Sequence, residues 1–197
     1  MAGFATKTFS KHDDYMTPKS AWINIRNYIP KDKVIWEAFY GNGQSGNYLK
    51  ELGYNTIHKD IDFFEHNLGE IVVSNPPFTK IKDIMFRLIN LDKPFIMIMP
   101  VSKMSTQYFR KIMGKTDEKI QIIIPRKRIN FDKMVDGVIV PSPGCNFDCY
   151  YYCFRMNFAN DITFLGDDEC IEMTKEYKEA KKQAKKNEEI RAKKNEN

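Results

Sequence analysis

The chain has few of the residues that mark metal-dependent or membrane-spanning proteins. Only three histidines occur among its 197 residues, and His12, His58 and His66 show neither triad nor ligand spacing. No apolar run is long enough to cross a bilayer, and residues 1–10 contain no secretory signal. We therefore expect a cytoplasmic, intracellular protein that has no membrane partner and whose cysteines are reduced.

Cysteine is also scarce, but three of the four cysteines lie close together. Cys145, Cys149 and Cys153 are each four residues apart, whereas an iron–sulfur cluster that uses S-adenosylmethionine needs Cys-x3-Cys-x2-Cys. Cys170 is too distant to complete a recognisable zinc site. Strand alternation places Cys149, Tyr151 and Cys153 on one face, where thiols behave as small apolar groups. The sequence predicts no metal.

A glycine-rich loop follows the first predicted strand, residues 33–40. Gly41, Gly43 and Gly46 have G-x-G-x-x-G spacing and precede a helix-like segment at 47–52. A second predicted strand, 54–58, leads to Asp60, nineteen residues after Gly41, where a carboxylate can bind a ribose. This pattern fits both NAD and S-adenosylmethionine, because both contain an adenosine.

Glu37, at the end of the first predicted strand, distinguishes the two cofactors. Its carboxylate would repel a pyrophosphate but can attract the ammonium group of a methionine moiety. The position therefore favours S-adenosylmethionine. A nicotinamide oxidoreductase ranks last, because no residue is identified as a hydride-transfer acid or base.

The most informative motif follows a short buried strand predicted at 70–74. Asn75-Pro76-Pro77-Phe78 forms a stiff, non-helical turn, because proline lacks an N–H and disfavours helix in the residue before it. The Asn75 side-chain oxygen and the Pro76 carbonyl can accept both hydrogens of one amino group, and Phe78 offers a face on which a base can stack. Two acceptors localise the lone pair of an aromatic amine and stabilise the positive charge that develops on methyl transfer.

Together these motifs resemble those of the class I, S-adenosylmethionine-dependent N6-adenine DNA methyltransferases. Residues 37–43 are similar to the cofactor motif, and residues 74–78 to the catalytic motif. A third similarity, at residues 14–18, is to the segment that precedes the cofactor loop in this family. The three motifs occur in the family order, although Glu37-Ala38 replaces the usual Asp-Pro.

The resemblance implies a role for each motif residue in binding S-adenosylmethionine. The residues implied on the methionine side are Tyr15, Thr17, Pro18, Glu37, Phe39, Gly41 and Gly43. Asp60 would bind the ribose hydroxyls, and Asp62 would reach the adenine amino group of the cofactor.

The resemblance also implies a pocket for the target base. Asn75, Pro76 and Phe78 would be catalytic, with Pro77 beside them in the pocket. A basic and aromatic stretch at 126–131 would lie near the base and contribute Arg126, Arg128 and Phe131. The competing interpretation of this stretch is a solvated basic turn with Phe131 in the core.

The rest of the chain alternates between predicted helices and strands. The predicted elements are helix 81–90, strand 95–100, helix 105–113 capped by Ser105, strand 119–124, an irregular loop at 140–144 and a strand within 147–156. Alternation predicts an α/β fold with a mostly parallel sheet. The resemblance implies a Rossmann-like class I methyltransferase fold in which 147–156 is a C-terminal antiparallel strand. We expect a methyltransferase domain at 1–166 and a basic helix or tail at 167–197.

The charge distribution indicates nucleic acid as the partner. Residues 175–197 contain nine Lys or Arg against five Glu, which accounts for most of the net charge of +5. Phosphate attraction is one interpretation of this segment, and an ordinary charged tail is the other. No stretch of about 80 residues remains for a separate base-reading domain. Specificity is then low, or comes from the loops at 126–148, or from a partner subunit or second copy.

We predict a minimal N6-adenine DNA methyltransferase that flips its target base into the pocket. An RNA adenine methyltransferase would use the same pocket. A protein glutamine methyltransferase could use it as well, but with Tyr usually replacing Phe78. The alternative from a different class is a non-catalytic nucleic-acid-binding subunit. By analogy, small enzymes of this type are encoded by viruses and mobile elements.

Overall fold

The computed structural model describes residues 15–135, 138–141 and 145–166. The strands are Ile35–Trp36 (β1), Thr56–Ile57 (β2), Ile71–Ser74 (β3), Phe95–Pro100 (β4), Ile120–Ile124 (β5), Asp132–Val135 (β6), Val138–Pro141 (β7), Cys149–Phe154 (β8) and Ile162–Phe164 (β9). The helices are Lys19–Asn24 (α1), Gln44–Glu51 (α2), Ile81–Asn90 (α3) and Gln107–Met113 (α4), with a 3-10 turn at Val101–Ser105. The predicted basic tail, 167–197, lies outside the described residues.

Seven of the described strands form one sheet in the order β2-β1-β3-β4-β8-β5-β9. The four strands β2, β1, β3 and β4 are parallel, β8 runs antiparallel between β4 and β5, and β9 is parallel to β5. β6 and β7 form a separate antiparallel ribbon. This strand order confirms the predicted α/β, Rossmann-like fold with a mostly parallel sheet and an antiparallel strand near the C-terminus.

The strand order reverses at β1, whose two neighbours in the sheet are β2 and β3. The chain passes from β1 to β2 on one side and then crosses from β2 to β3 on the other side of β1, so a crevice opens beyond the carboxyl ends of β1 and β3. Open α/β sheets bind ligands at such a switch point. The fold therefore places the predicted cofactor loop and the predicted catalytic loop side by side.

Helices cover both faces of the sheet. All six residues of β4 are buried, as expected of a strand with helices on either side. Its alternate side chains enter two core clusters, one with Trp22 of α1 and one with α3. Helix α3 buries Ile81, Ile84, Met85 and Leu88, which have the i, i+3, i+4, i+7 spacing of an amphipathic helix.

The cysteines of β8 lie in the core, as strand alternation predicted. Cys149 and Cys153 pack with Tyr151 in the cluster on the α1 side, whereas Tyr152 and Phe154 enter the opposite cluster. Both thiols are free, and burial raises the pKa of each well above its usual range. Within the described residues, no group of three potential metal ligands occurs and no helix is long and apolar enough to span a membrane.

Several predicted boundaries are wrong. Only two residues of the predicted strand at 33–40 are paired, and helix α2 begins at Gln44 rather than at residue 47. Helix α4 is capped by Thr106, whose Oγ1 accepts from Phe109 N at 3.3 Å. The predicted cap, Ser105, instead ends the 3-10 turn and donates to the Ser102 carbonyl at 2.9 Å.

The prediction of an irregular loop at 140–144 is also wrong in part. Val140 and Pro141 pair with Lys133 and Asp132 in the β6–β7 ribbon, and residues 142–144 lie outside the described residues. Proline is tolerated there because it occupies the end of a two-stranded ribbon. Neither this ribbon nor β9 was predicted.

A buried hydrogen bond fixes helix α1 to the sheet. The Tyr151 hydroxyl donates to the Ala21 carbonyl at 2.7 Å, and the Tyr151 side chain is buried. We predict that Tyr151→Phe lowers the free energy of unfolding by about 1–2 kcal/mol, because the buried carbonyl loses this donor. Urea unfolding measures the change. Tyr150→Phe, on the same strand but partly exposed, is the matched control, and an equal loss in both variants would contradict the prediction.

Candidate ligand site at the strand ends

A cavity at the switch point brings the three predicted motifs together. Its lining includes Tyr15 and Thr17 from the N-terminal segment, Glu37, Phe39 and Gly41 from the cofactor loop, and all four residues of the Asn75–Phe78 motif. Motifs up to 60 residues apart in the sequence therefore meet in one site. The cavity also includes four residues that sequence reasoning missed, namely Met16, Tyr40, Asn42 and Ser45.

Other predicted site residues lie outside the cavity lining. Asp60 is exposed in the turn after β2, and the Asp62 Oδ1 accepts from the Phe64 N–H at 2.7 Å. Pro18 is the residue before helix α1 and is buried. The catalytic motif is thus joined in the lining by five of the seven predicted methionine-side residues. Pro18 and Gly43 lie outside the lining, as do the two predicted adenosine-binding carboxylates.

The cofactor loop needs glycine for conformational reasons. Gly41 and Gly43 have φ of 57° and 85°, in the left-handed region that side chains disfavour. A Cβ at Gly43 would also lie 3.0 Å from the Tyr40 hydroxyl oxygen. The turn is closed by a hydrogen bond from Gly43 N to the Tyr40 carbonyl at 2.8 Å. The loop therefore makes a tight turn beside the cavity, which residues 39–42 and Ser45 line.

Glu37 is buried at the base of the cavity and is held by two side chains. The Ser74 hydroxyl donates to its Oε1 at 2.5 Å, and His58 Nδ1 lies 2.6 Å from its Oε2. His58 Nδ1 also lies 3.2 Å from the Glu37 carbonyl, so both contacts of this nitrogen are with the same residue. Glu37 is 1% exposed. Sequence reasoning anticipated neither partner, because each belongs to a different strand.

This arrangement is not a hydrolytic triad. In such a triad the imidazole lies between the nucleophile and the carboxylate, so that it can take the proton of the nucleophile. Here the carboxylate of Glu37 lies between Ser74 and His58. Ser74 is also fully buried. The cluster therefore has a structural or positioning role.

The Glu37 contact controls the protonation of His58. Burial lowers the pKa of the imidazole, but the hydrogen bonds and charge of Glu37 raise it by more, and the net pKa is above the ordinary 6.5. Lys50 opposes this increase. Because the folded-state pKa is raised, the pair stabilises the protein fully below pH 6.5, and this stabilisation is lost as pH rises through the folded-state pKa.

We therefore predict a pH-dependent difference in stability between the wild type and His58→Gln. The wild type should exceed the variant in free energy of unfolding by more at about pH 6 than at about pH 9. Urea unfolding at the two pH values measures the difference. A difference that is constant, or that grows with pH, would show that His58 is not charged in the folded protein at the lower pH.

Only the nitrogen end of the Asn75 side-chain amide has a hydrogen-bond partner among the described residues. Its Nδ2 donates to the Tyr15 carbonyl at 3.2 Å. Its Oδ1 is buried and has no hydrogen-bond partner among the described residues. Because the Tyr15 carbonyl can only accept, the amide cannot be flipped without losing this bond. Asn75 lines the cavity, so the site contains a buried acceptor without a donor, which is costly unless a ligand supplies one.

Four aromatic rings form a cluster beside Asn75. Tyr15 stacks on Phe78, with ring centroids 5.7 Å apart and planes inclined by 27°. Phe131 and Phe147 contact Phe78 edge-on at 5.9 and 5.5 Å. The Phe78 face predicted to hold a base is thus partly covered by Tyr15. Phe147 was not predicted to lie here.

The basic stretch lies at the margin of this cluster. Arg128 makes an ion pair with Asp148, with Nε 2.7 Å from Oδ1, and donates to the Cys145 carbonyl at 3.0 Å. The contact with Asp148 raises the pKa of Arg128. Phe131 is 1% exposed and belongs to the core, as the competing interpretation expected, and it also contacts Phe78. Arg126 is exposed.

The fold and the cavity define an α/β protein with a candidate ligand site at the switch point of its sheet. No family model and no curated protein sequence matches the chain. Among solved structures, it is similar to a Listeria monocytogenes protein assigned as a class I S-adenosylmethionine-dependent methyltransferase. The identity is 12%, the match covers 80% of this chain and 67% of that chain, and the TM-score is 0.40.

Proposed function

We propose that the protein is an S-adenosylmethionine-dependent methyltransferase that acts on the N6 amino group of adenine in DNA. The observation that carries this proposal is the Oδ1 of Asn75, a buried acceptor that lacks a donor and belongs to a residue lining the cavity at the switch point. An exocyclic amine is a donor of the kind that this acceptor lacks. The cavity also contains aromatic rings, which suit a base rather than an aliphatic substrate.

Asn75 would activate the amine by accepting one of its hydrogens. The lone pair of an aromatic amine is delocalised into the ring, so it is a poor nucleophile until the nitrogen becomes more tetrahedral. An acceptor fixed in place before the substrate arrives favours that geometry and stabilises the charge on the nitrogen. The bond from Asn75 Nδ2 to the Tyr15 carbonyl supplies this fixation. The Pro76 carbonyl is the second acceptor in our proposal.

The residues around the glycine loop fit S-adenosylmethionine. Gly41 lines the cavity in a left-handed conformation and has no side chain to occupy it, and Thr17 and Phe39 belong to the same lining. A sulfonium cofactor bound here would supply an electrophilic methyl group. Asp60 and Asp62 remain the proposed contacts for its adenosine. Glu37 would contribute less attraction for the ammonium group than expected, because His58 already offsets its charge.

Phe78 would hold the base by stacking. Tyr15 covers one face of this ring, so a base that stacks on that face must displace Tyr15. Tyr15 is the residue whose carbonyl fixes Asn75, and its ring and its backbone therefore serve different purposes. Base entry would move the ring while leaving the backbone contact in place.

DNA is the proposed nucleic acid, on the basis of the net charge of +5 and the resemblance to the DNA enzymes. Arg126, Arg128 and the basic segment at 175–197 would contact phosphates, although Arg128 must then share its charge with Asp148. A partner subunit or a second copy of the chain would supply sequence specificity.

The test is a competition among substrates. The protein would be incubated with S-adenosylmethionine labelled in the methyl group and with duplex DNA, single-stranded DNA and structured RNA at equal nucleotide concentration. We expect label in DNA adenine, with RNA labelled more slowly. If only RNA is labelled, the proposed mechanism stands and the substrate is RNA rather than DNA. Label in none of the three, together with no binding of the cofactor, would refute the enzyme and favour a non-catalytic nucleic-acid-binding subunit.

A further inference from the structure

One carboxylate joins the ends of three strands next to the proposed catalytic loop. We propose that Glu37 is a positioning residue for Asn75, acting through Ser74, with His58 as the counter-charge that holds the carboxylate in place. This inference rests on the proposed function and assigns Glu37 a different role from that of a cofactor ligand.

The first argument is the geometry at the end of the β1–β3 ladder. The backbone ladder between these strands ends at the pair of Trp36 and Val72. Beyond that point the side chains of Glu37 and Ser74 continue the connection, with Ser74 Oγ donating to Oε1 at 2.5 Å. Ser74 is fully buried and directly precedes Asn75 in the chain. A shift of the carboxylate would therefore shift the start of the catalytic loop.

The second argument is that β2 is joined to the same carboxylate. Glu37 N donates to the Ile57 carbonyl at 3.0 Å, and the next residue, His58, places Nδ1 2.6 Å from Oε2. Glu37 thus contacts β2 on one side and β3 on the other. A buried carboxylate is costly without a partner, and the imidazolium of His58 is the partner that the fold provides.

The third argument is that neighbouring residues hold the His58 side chain in place. The Tyr40 ring stacks on the imidazole with centroids 4.6 Å apart and an inclination of 17°. On α2, Gly46 leaves the space that the imidazole occupies. The charged groups that act on His58 are Glu37 from β1 and Lys50 from α2, which have opposite effects on its protonation. His58 therefore has little freedom to move away from Glu37.

The test separates positioning from cofactor binding. Ser74→Ala removes the hydroxyl that connects Glu37 to the loop, and Glu37→Gln removes the charge that holds His58. We expect both variants to lower kcat by up to about 100-fold, as small displacements of a reacting group do, and to change the KM for the cofactor by less than about threefold. Ser105→Ala, at an exposed serine outside the cavity lining, is the control and should behave as wild type.

Two kinetic outcomes would overturn the inference. Wild-type kcat in Ser74→Ala would show that the hydroxyl does not position the loop. A Glu37→Gln variant with a greatly raised KM for the cofactor and an unchanged kcat would show that Glu37 binds the cofactor instead. His58→Gln should shift the pH dependence of kcat, whereas a merely structural role would alter stability and leave the profile unchanged.

A readout without turnover separates this inference from the proposed function. The side-chain amide of Asn75 gives an NMR signal that reports its environment whether or not the protein transfers methyl groups. We expect this signal to move in Ser74→Ala and to titrate with His58 in the wild type. If the wild type shows no methyl transfer but the signal moves, the proposed function fails and the positioning remains. A signal unaffected by either change refutes the positioning.

Discussion

Asn75→Ala should lose methyl transfer almost completely while it keeps the fold and the affinity for S-adenosylmethionine. The variant removes an acceptor that acts on the amine as charge develops in the transition state. Removing one such preorganised group typically lowers kcat by about 100- to 1,000-fold. Single-turnover transfer of labelled methyl groups to duplex DNA measures this loss, and calorimetric titration with the cofactor measures the retained affinity.

Asn90→Ala is the matched control for this experiment. Asn90 is the exposed last residue of helix α3, at the opposite end of that helix from the catalytic motif, and its replacement should leave transfer unchanged. Equal rates in wild type and Asn75→Ala would contradict the proposed chemistry even if the protein methylates DNA. A loss of cofactor affinity equal to the loss of rate would instead indicate that Asn75 acts mainly in binding.

Gly46→Ala should destabilise the protein and disrupt the cofactor side of the site. Alanine is normally preferred to glycine inside a helix by about 1 kcal/mol. At position 46, however, a Cβ would lie 2.1 Å from Cγ and 2.6 Å from Cβ of His58, so one of the two elements must shift. We expect the free energy of unfolding to fall by about 1–3 kcal/mol, the usual cost of overpacking a core.

The control for this prediction is another glycine with room around it. At Gly166 an added Cβ would have no neighbour within 4 Å, and Gly166→Ala should change the free energy of unfolding by no more than about 0.5 kcal/mol. Urea unfolding compares the two variants. An unchanged or increased stability of Gly46→Ala would mean that His58 can leave its place between Tyr40 and helix α2 at little cost.

The sequence predicted the regular elements best where the pattern was long. Helix Ile81–Asn90 and strand Phe95–Pro100 have the predicted bounds, because ten residues of helical periodicity and six consecutive apolar residues leave little ambiguity. Strands β1 and β2 pair over only two residues each, which propensity alone does not reveal. The β6–β7 ribbon was missed because Pro141, Pro143 and Gly144 suggested a loop.

The candidate site was predicted in its motifs but not in its internal contacts. Tyr15, Glu37 and Asn75 meet in the cavity because the strand order brings their segments to one edge of the sheet. Glu37 and His58 are 21 residues apart, each directly after one of two neighbouring strands, and no local pattern identifies them as a pair. The covering of Phe78 by Tyr15 likewise depends on packing of distant segments.

The most direct test of the proposed function is to identify the product on DNA. Duplex DNA incubated with the protein and S-adenosylmethionine would be digested to nucleosides and analysed by mass spectrometry. We predict N6-methyladenine in the wild-type reaction, and almost none with Asn75→Ala. Methylated cytosine, or no methylated nucleoside although the protein binds both DNA and cofactor, would contradict our assignment of the Asn75 site to adenine.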